Sequence, residues 1–362
     1  MKRVLLNVTA HELERISGDI SYYRNLLETS VPAVEFCILH PVSSADWLLR
    51  ELRKGTEKML SARWPQPLNQ GLFELARYTH LPARVAHQAD VILSHITFPL
   101  VVGAGDGPPI VWSTQGISPA LYYDYRGKVR FEQVVRLFND FGRKASRLIV
   151  WTRSGADMVR RHCDVRAPLH VVPPSLPVPA AVTQPLPREA ERHLLFIGRD
   201  PARKGLYEIL EAFEQLGQAA ANTQLDIVSC VPPPLRDRYR PHANVRFHCD
   251  LPDGEISRLF ERADIFLLPT HAETYGFVLI EAMARGCAII TCDYAPLNEL
   301  VEVGVNGLLV PPADADSIAA ALGALVRDPL LVEQMGCANR QKYRSTFAPQ
   351  KVASQLTEVL CA

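Results

Sequence analysis

The chain has 362 residues, 48% of them apolar, with 39 Lys+Arg against 39 Asp+Glu. This length suffices for about two domains, and the balanced charge argues against both a disordered chain and a nucleic-acid-binding protein. No apolar run approaches the roughly 18 residues of a membrane span, and the N-terminal apolar run is too short for a signal peptide. We therefore expect a globular cytoplasmic protein.

The eight cysteines show no Cys-x-x-Cys pair, and several lie within apolar runs typical of strands. In a cytoplasmic protein such residues behave as small apolar core residues. The sequence therefore predicts reduced cysteines, with neither a disulfide nor a metal site built from them.

Short apolar segments alternate with helical segments in the first half of the chain. The predicted strands cover residues 4–8, 34–39, 91–94, 110–113, 148–151 and 169–172, and the clearest helix covers 128–145. A proline-dense stretch, 173–187, cannot form a central strand or a helix interior. It marks a hinge, so the first domain is expected over residues 1–178.

The second half repeats this alternation more regularly. Strands are predicted at 193–197, 225–228, 245–247, 264–268 and 287–290, and helices at 205–216, 253–263, after Gly276, and at 314–326, 329–345 and 349–360. Apolar strands alternating with amphipathic helices predict a doubly wound parallel sheet, whose ligands bind beyond the carboxyl ends of the strands. We expect a second domain over 188–346, with 347–362 crossing back onto the first.

Two glutamates, Glu273 and Glu281, bracket a passage from an apolar strand through Gly276 into a helix. Such a passage offers free backbone N–H groups and the positive end of a helix dipole, which attract phosphate. The carboxylates accept hydrogen bonds only, so they suit a group rich in hydroxyls. Together these features predict a site for a nucleoside diphosphate sugar.

Cations precede these glutamates at the end of another predicted strand. Arg199 and Lys204 flank a glycine turn at the start of a helix. A diphosphate between two carboxylates would be repelled, and an arginine fork with a lysine charge offsets that repulsion. The alternative interpretation of both residues is a solvated helix start.

The segment 196–312 resembles the nucleotide-sugar-binding domain of the family 4 glycosyltransferases. These are retaining enzymes of the GT-B fold, in which two doubly wound Rossmann-like domains face each other across a cleft. The matching positions are Gly198, Arg199, Lys204, Gly205, 263–269, Glu273, Glu281, Gly286, Glu299 and 306–310. These elements together, in the right order, are specific, whereas a glutamate pair alone is common on helices.

The resemblance implies a role for each matched position. Arg199 and Lys204 would contact the phosphates, Glu273 the hydroxyls of the transferred sugar, and Glu281 the ribose. The amides around Gly276, Phe277 and Val278 would bind sugar or phosphate oxygens. For Glu299 the alternatives are a residue that orients the site and a surface helix residue.

The first half matches the family more weakly. Gly18 follows the first strand, where the family has a glycine-rich loop that meets the donor or acceptor. Gln115 stands where the family usually carries a histidine near the sugar, and an amide hydrogen-bonds but cannot titrate. For His95 and His271, both near the ends of strands, a structural role is favoured over a catalytic one.

The resemblance implies a retaining reaction that is independent of metal, and no first-half motif names a carboxylate for a covalent intermediate. The donor is a nucleoside diphosphate sugar, no other cofactor is implied, and the acceptor is an unidentified glycan, lipid or small molecule. The alternatives are a nucleotide-sugar-binding protein with little turnover and a sugar-nucleotide epimerase, since fold does not fix function.

A membrane contact is a further alternative for the helix over 128–144, which combines aromatic residues with cations. The first 178 residues carry 22 Lys+Arg against 16 Asp+Glu. The apolar positions of this helix have core spacing, which favours packing on the sheet over a weak peripheral membrane contact.

Overall fold

The computed structural model describes most of the second half of the chain and selected parts of the first. The described residues are 1–9, 34–39, 79–81, 89–95, 100–102, 108–114, scattered positions between 132 and 143, 145–176, 178, 191–239 and 241–362. Gly18, Gln115 and much of the predicted helix 128–145 lie outside them.

The first half forms a parallel sheet of six strands and a separate pair of strands. The strands are β1 (Lys2–Thr9), β2 (Val34–Leu39), β3 (Thr79–Leu81), β4 (Val91–His95), β5 (Leu100–Val102), β6 (Ile110–Thr114), β7 (Arg147–Val150) and β8 (Leu169–Val171). The sheet order is β2-β1-β4-β6-β7-β8, while β3 pairs with β5. The six strands predicted here are therefore confirmed within one or two residues at each end.

The second half forms another parallel sheet of six strands. They are β9 (Arg192–Ile197), β10 (Thr223–Val228), β11 (Val245–His248), β12 (Ile265–Leu268), β13 (Ala288–Cys292) and β14 (Gly307–Val310). The order β11-β10-β9-β12-β13-β14 places β9 between β10 and β12. The strand order reverses there, and this reversal opens the crevice in which doubly wound sheets bind ligands.

One described helix follows strand β7 of the first sheet, and the others belong to the second half of the chain. They are α1 (Arg153–His162), α2 (Leu206–Leu216), α3 (Pro233–Tyr239), α4 (Asp253–Arg262), α5 (Phe277–Arg285), α6 (Leu297–Leu300), α7 (Ala315–Arg327), α8 (Pro329–Thr346) and α9 (Pro349–Cys361). The side chains of Phe196, Phe266 and Ile289 are fully buried, as expected for strands covered on both faces. In the described part of the chain, no helix combines the length and the apolar character needed to cross a membrane.

Hydrogen bonds join the C-terminal helices to the first half of the chain. The Tyr343 hydroxyl on α8 donates to the carbonyl oxygen of Leu176 at 2.7 Å. The Lys2 ammonium donates to the carbonyl oxygen of Cys361 at 3.1 Å, so the last turn of α9 lies beside β1. The domain limits 1–178 and 188–346 stay a prediction, since much of the proline-dense stretch is outside the described residues.

The expectation of reduced cysteines is wrong for one pair, because Cys230 and Cys249 form a disulfide. They follow β10 and β11, which are neighbours in the sheet, and their Cα atoms lie 4.6 Å apart. The two cysteines are 19 residues apart in the sequence, and only the pairing of the two strands brings them together. Cys287 and Cys292 are buried and form no disulfide, as predicted.

Opening this disulfide should destabilise the second domain. Closing a loop of about 20 residues restricts the unfolded chain and is worth roughly 3 kcal/mol. We expect Cys230→Ser to lower the free energy of unfolding in urea by about that amount. Added dithiothreitol should lower the stability of the wild type and leave the variant unchanged, and equal stability of wild type and variant would contradict the bond.

Candidate functional site

The loop after β9 carries cations at the carboxyl edge of the second sheet. Arg199 is exposed, and none of the described carboxylates pairs with it. The Arg203 guanidinium donates to the carbonyl oxygen of Ala272 at 2.7 Å. Lys204 forms an ion pair with Glu273. Arg199 is thus available to an anion, while Arg203 and Lys204 hold the neighbouring loop.

Gly205 allows the loop after β9 to touch the loop after β12. Its φ is +80°, and a Cβ at this position would collide with the carbonyl oxygen of Pro269. The contact is completed by two hydrogen bonds to the carbonyl oxygen of Arg203, from the His271 amide at 2.8 Å and the Thr270 hydroxyl at 3.0 Å. The two loops therefore form one unit, since glycine alone fits this close approach at a positive φ.

Glu273 is buried in that unit as a carboxylate. It pairs with Lys204 and accepts a hydrogen bond from the Thr274 amide at 3.0 Å. Burial by itself would raise the pKa of the Glu273 carboxyl, but the Lys204 ammonium, the Thr274 amide and the Arg203 guanidinium hold it below its ordinary value. Glu273 is therefore an ionised hydrogen-bond acceptor near neutral pH.

Glu281 lies in the second turn of α5, in a different environment. Burial raises the pKa of its carboxyl, against the attraction of Arg285 and with some help from the repulsion of Asp253. No hydrogen-bond donor among the described residues reaches this carboxylate. A partly buried acceptor without a protein donor is costly for the fold, and it suits a ligand that brings hydroxyl groups.

The start of α5 supplies backbone donors beside Glu273. Gly276 caps the helix with a φ of +88°, a left-handed conformation that favours glycine. The amides of Phe277 and Val278 fall in the first turn, where N–H groups lack an intrahelical acceptor. No acceptor from the described chain reaches these two amides. The helix start is therefore open to an anionic group.

The remaining candidates of the first half are placed less completely. Gly18 and Gln115 lie outside the described residues, although Gln115 directly follows the last residue of β6. His95 is the last residue of β4. The His271 Nε2 atom lies 2.8 Å from a carboxylate oxygen of Glu208 on α2, so His271 ties its loop to that helix.

Two residues of this region, Arg203 and Trp151, were not predicted from the sequence, and for a third, Glu299, the sequence left two roles open. The position of Arg203 next to Lys204 could have indicated a role at the site. Its hydrogen-bond partner, the carbonyl oxygen of Ala272, depends on the fold. Trp151 follows β7 of the first sheet, and its ring centroid lies 5.4 Å from that of Phe277. Glu299 accepts hydrogen bonds from the Arg153 and Ser154 amides of α1. The last two contacts join residues about 130 to 150 positions apart.

Removing the cation of the buried ion pair should destabilise the fold. In a Lys204→Met variant the Glu273 carboxylate stays buried without its counter-charge, which typically costs about 3–5 kcal/mol. We expect a fall of that order in urea unfolding at pH 7. Lys351→Met removes an exposed lysine and should change stability by less than about 0.5 kcal/mol.

The contribution of Glu273 should also depend on pH in a defined direction. Its pKa is lowered in the folded chain, so its stabilisation is complete above the ordinary value of 4.5 and is lost as the pH falls through the lowered value. The stability of wild type relative to Glu273→Gln should therefore decrease below about pH 4.5. A difference that grows toward acid pH would contradict the assignment.

The part of the chain that carries this site is similar to known proteins. Residues 180–342 match the model of the glycosyl transferases group 1. Glycogen synthase from Mycobacterium tuberculosis is 32% identical over 181 residues, which cover 49% of this chain and 44% of that protein. Phosphatidyl-myo-inositol mannosyltransferase from Mycobacterium leprae is 31% identical over 173 residues, covering 46% and 45%. The match thus spans less than half the length of these relatives.

Solved structures resemble the whole chain. Sucrose-phosphate synthase from Thermosynechococcus elongatus superposes with a TM-score of 0.70 at 18% identity, covering 99% of this chain and 98% of that one. HepE from Anabaena, solved with UDP and glucose, gives 0.65 at 16% identity and covers all of both chains. At such identities the likeness concerns the fold. The chain has the GT-B fold of two doubly wound domains, and its residues 180–342 are similar to the glycosyl transferases group 1.

Proposed function

We propose that the chain is a retaining, metal-independent glycosyltransferase that moves a sugar from a nucleoside diphosphate to an acceptor held by residues 1–178. One observation carries the proposal. The carboxyl edge of the second sheet brings together the exposed cation Arg199, the ion pair between Lys204 and Glu273, and the donor-free carboxylate of Glu281. These groups complement the phosphates and hydroxyls of a nucleotide sugar in kind and in charge.

The donor would lie across the start of α5. Arg199 and the first-turn amides of Phe277 and Val278 would bind the diphosphate, since free N–H groups at a helix start favour anions. Glu281 would accept hydrogen bonds from the ribose hydroxyls. Support comes from HepE, a protein of the same fold that has been solved with UDP-glucose.

The ion pair suggests how the donor changes the site. Lys204 and Glu273 neutralise each other in the ion pair. A diphosphate would offer Lys204 a second anion, and Glu273 would then accept hydrogen bonds from the hydroxyls of the sugar. Each charged group would keep a partner, so neither would be left buried and unpaired.

The proposed chemistry is a displacement on one face of the sugar. The acceptor oxygen bonds to the anomeric carbon as the bond from that carbon to the phosphate oxygen breaks, and the acceptor proton passes to the departing phosphate. Arg199, Lys204 and the helix amides would stabilise the charge that develops on the leaving group. The protein would add positioning of both substrates. We expect this reaction in the cytoplasm.

A binding screen followed by a transfer assay tests the proposal. UDP-, GDP-, ADP- and TDP-glucose should be compared for the rise in melting temperature, because a ligand of the folded state stabilises it. The donor that binds should then be hydrolysed, or transferred to an acceptor fraction, by the wild type and not by Glu273→Ala. A wild type that binds a donor without hydrolysis or transfer would favour a binding protein, and a changed sugar configuration would favour an epimerase.

Glu281 should show a conflict between stability and binding. The pKa of the Glu281 carboxyl is raised in the folded chain, so its ionisation lowers the free energy of unfolding as the pH rises above 4.5. This destabilisation is present at pH 7. Glu281→Gln should raise the melting temperature by roughly 2–4 °C, as about 1 kcal/mol would do in a domain of this size. The same variant should bind the nucleoside diphosphate about tenfold more weakly, because an amide oxygen accepts less strongly than a carboxylate.

The matched control is Glu333→Gln, an exposed carboxylate on α8. It should change neither the melting temperature nor nucleotide affinity. Calorimetry with UDP and differential scanning fluorimetry measure the two quantities separately. A Glu281→Gln protein that is less stable than wild type at pH 7 would contradict the account of its burial.

A further inference from the structure

Glu299 joins the second domain to the first through a pair of hydrogen bonds. Helix α1 begins directly after β7, and its first two amides point outward from the helix end. The Arg153 amide donates to Oε2 of Glu299 at 2.9 Å and the Ser154 amide donates to Oε1 at 2.7 Å. A carboxylate of one domain therefore caps a helix of the other, where the helix dipole favours negative charge.

The backbone at Glu299 is itself fixed. The Lys342 ammonium on α8 donates to the carbonyl oxygen of Leu300 at 2.6 Å and to that of Glu299 at 3.3 Å. The carboxylate is thus presented from a short helix, α6, that is anchored to a long one. Its two hydrogen bonds are directional, so they fix the orientation of α1 as well as its distance.

An aromatic contact lies beside this cap and reaches the donor loop. The buried ring of Trp151 packs edge-on against Tyr275 and Phe277, with centroid distances of 5.2 and 5.4 Å. The Trp151 indole N–H donates to the Ser113 hydroxyl at 3.3 Å. Ser113 lies near the carboxyl end of β6, two residues before Gln115. The contact therefore connects the site edge of the first sheet with the loop that carries Glu273.

We propose that Glu299 is a positioning residue, which sets the acceptor half of the site against the donor half and takes no part in the chemistry. The inference rests on the proposed function. Ring packing alone is not directional, whereas the two hydrogen bonds of Glu299 are. The donor groups Arg199, Lys204 and Glu281 all belong to the second domain. Loss of the cap should therefore lower kcat and leave donor affinity unchanged.

Two substitutions remove the cap from opposite sides. Glu299→Gln presents an amide NH₂ to one of two N–H donors, so one hydrogen bond is lost. Arg153→Pro deletes one donor and leaves Glu299 intact. Proline is tolerated at the first position of a helix, and the preceding Thr152 has the extended conformation that proline requires, with φ −135° and ψ 156°. Arg153→Ala is the matched control, because it removes the same side chain and keeps the amide.

The test measures kcat, donor Kd and domain arrangement on the full chain, with whichever of UDP-, GDP-, ADP- or TDP-glucose the binding screen selects. We expect Glu299→Gln and Arg153→Pro to lower kcat about tenfold or more, since small misplacements of reacting groups have effects of that size. Donor Kd should stay within twofold, and Arg153→Ala should behave as wild type. Small-angle scattering should show a broader distance distribution for the two cap variants alone.

A lower melting temperature with unchanged kcat would overturn the inference, because Glu299 would then only stabilise the fold. A donor Kd weakened as much as kcat would also overturn it. If the wild type shows no turnover, the proposed function fails and scattering decides the inference by itself. In that case an unchanged distance distribution in both cap variants would overturn it.

Discussion

The buried ion pair between Lys204 and Glu273 is the interaction on which the site depends. It joins the loops that follow β9 and β12, two adjacent strands at the reversal of strand order. Taking both charges out of water costs several kcal/mol per ion, so the pair is stable only because its surroundings satisfy it. The Thr274 amide and the contact at Gly205 supply that support. The same pair lets the site hold a cation and an anion with no net charge.

Two glutamates of one helical passage have opposite electrostatic roles. At Glu273 a cation and an amide outweigh burial, and the pKa of its carboxyl falls, whereas at Glu281 burial outweighs the attraction of Arg285, and the pKa rises. The difference arises from their partners, because burial acts on both in the same direction. A site that binds hydroxyl groups gains from the unsatisfied carboxylate, although the folded chain is less stable for it. This is the usual trade between stability and function at a binding site.

The sequence predicted features that depend on local pattern. The strands of both sheets except β14 followed from apolar runs, and the matched positions around Glu273 followed from their order. Contacts between distant residues were not predictable in this way. The disulfide joins positions 19 apart, and Glu299 meets Arg153 across 146 positions. The sequences of the short strands β3 and β5 and of helix α3 show no clear hydrophobic periodicity, so these elements were not predicted. Arg203 acts through a backbone carbonyl, for which no residue type is diagnostic.

The two domains contribute differently to donor binding and to sugar transfer. The described cations and carboxylates of the candidate donor site all belong to the second domain, so donor binding needs little from the first. Transfer differs, because the acceptor must approach the anomeric carbon from a defined side. The arrangement of two rigid sheets then decides whether bound donor reacts. The ring of Trp151 packs against the loop that carries Glu273, and the hydrogen bonds of Glu299 are short and directional. Loss of these contacts would lower kcat and leave donor affinity unchanged. That result distinguishes contacts that position the substrates from contacts that only stabilise the fold.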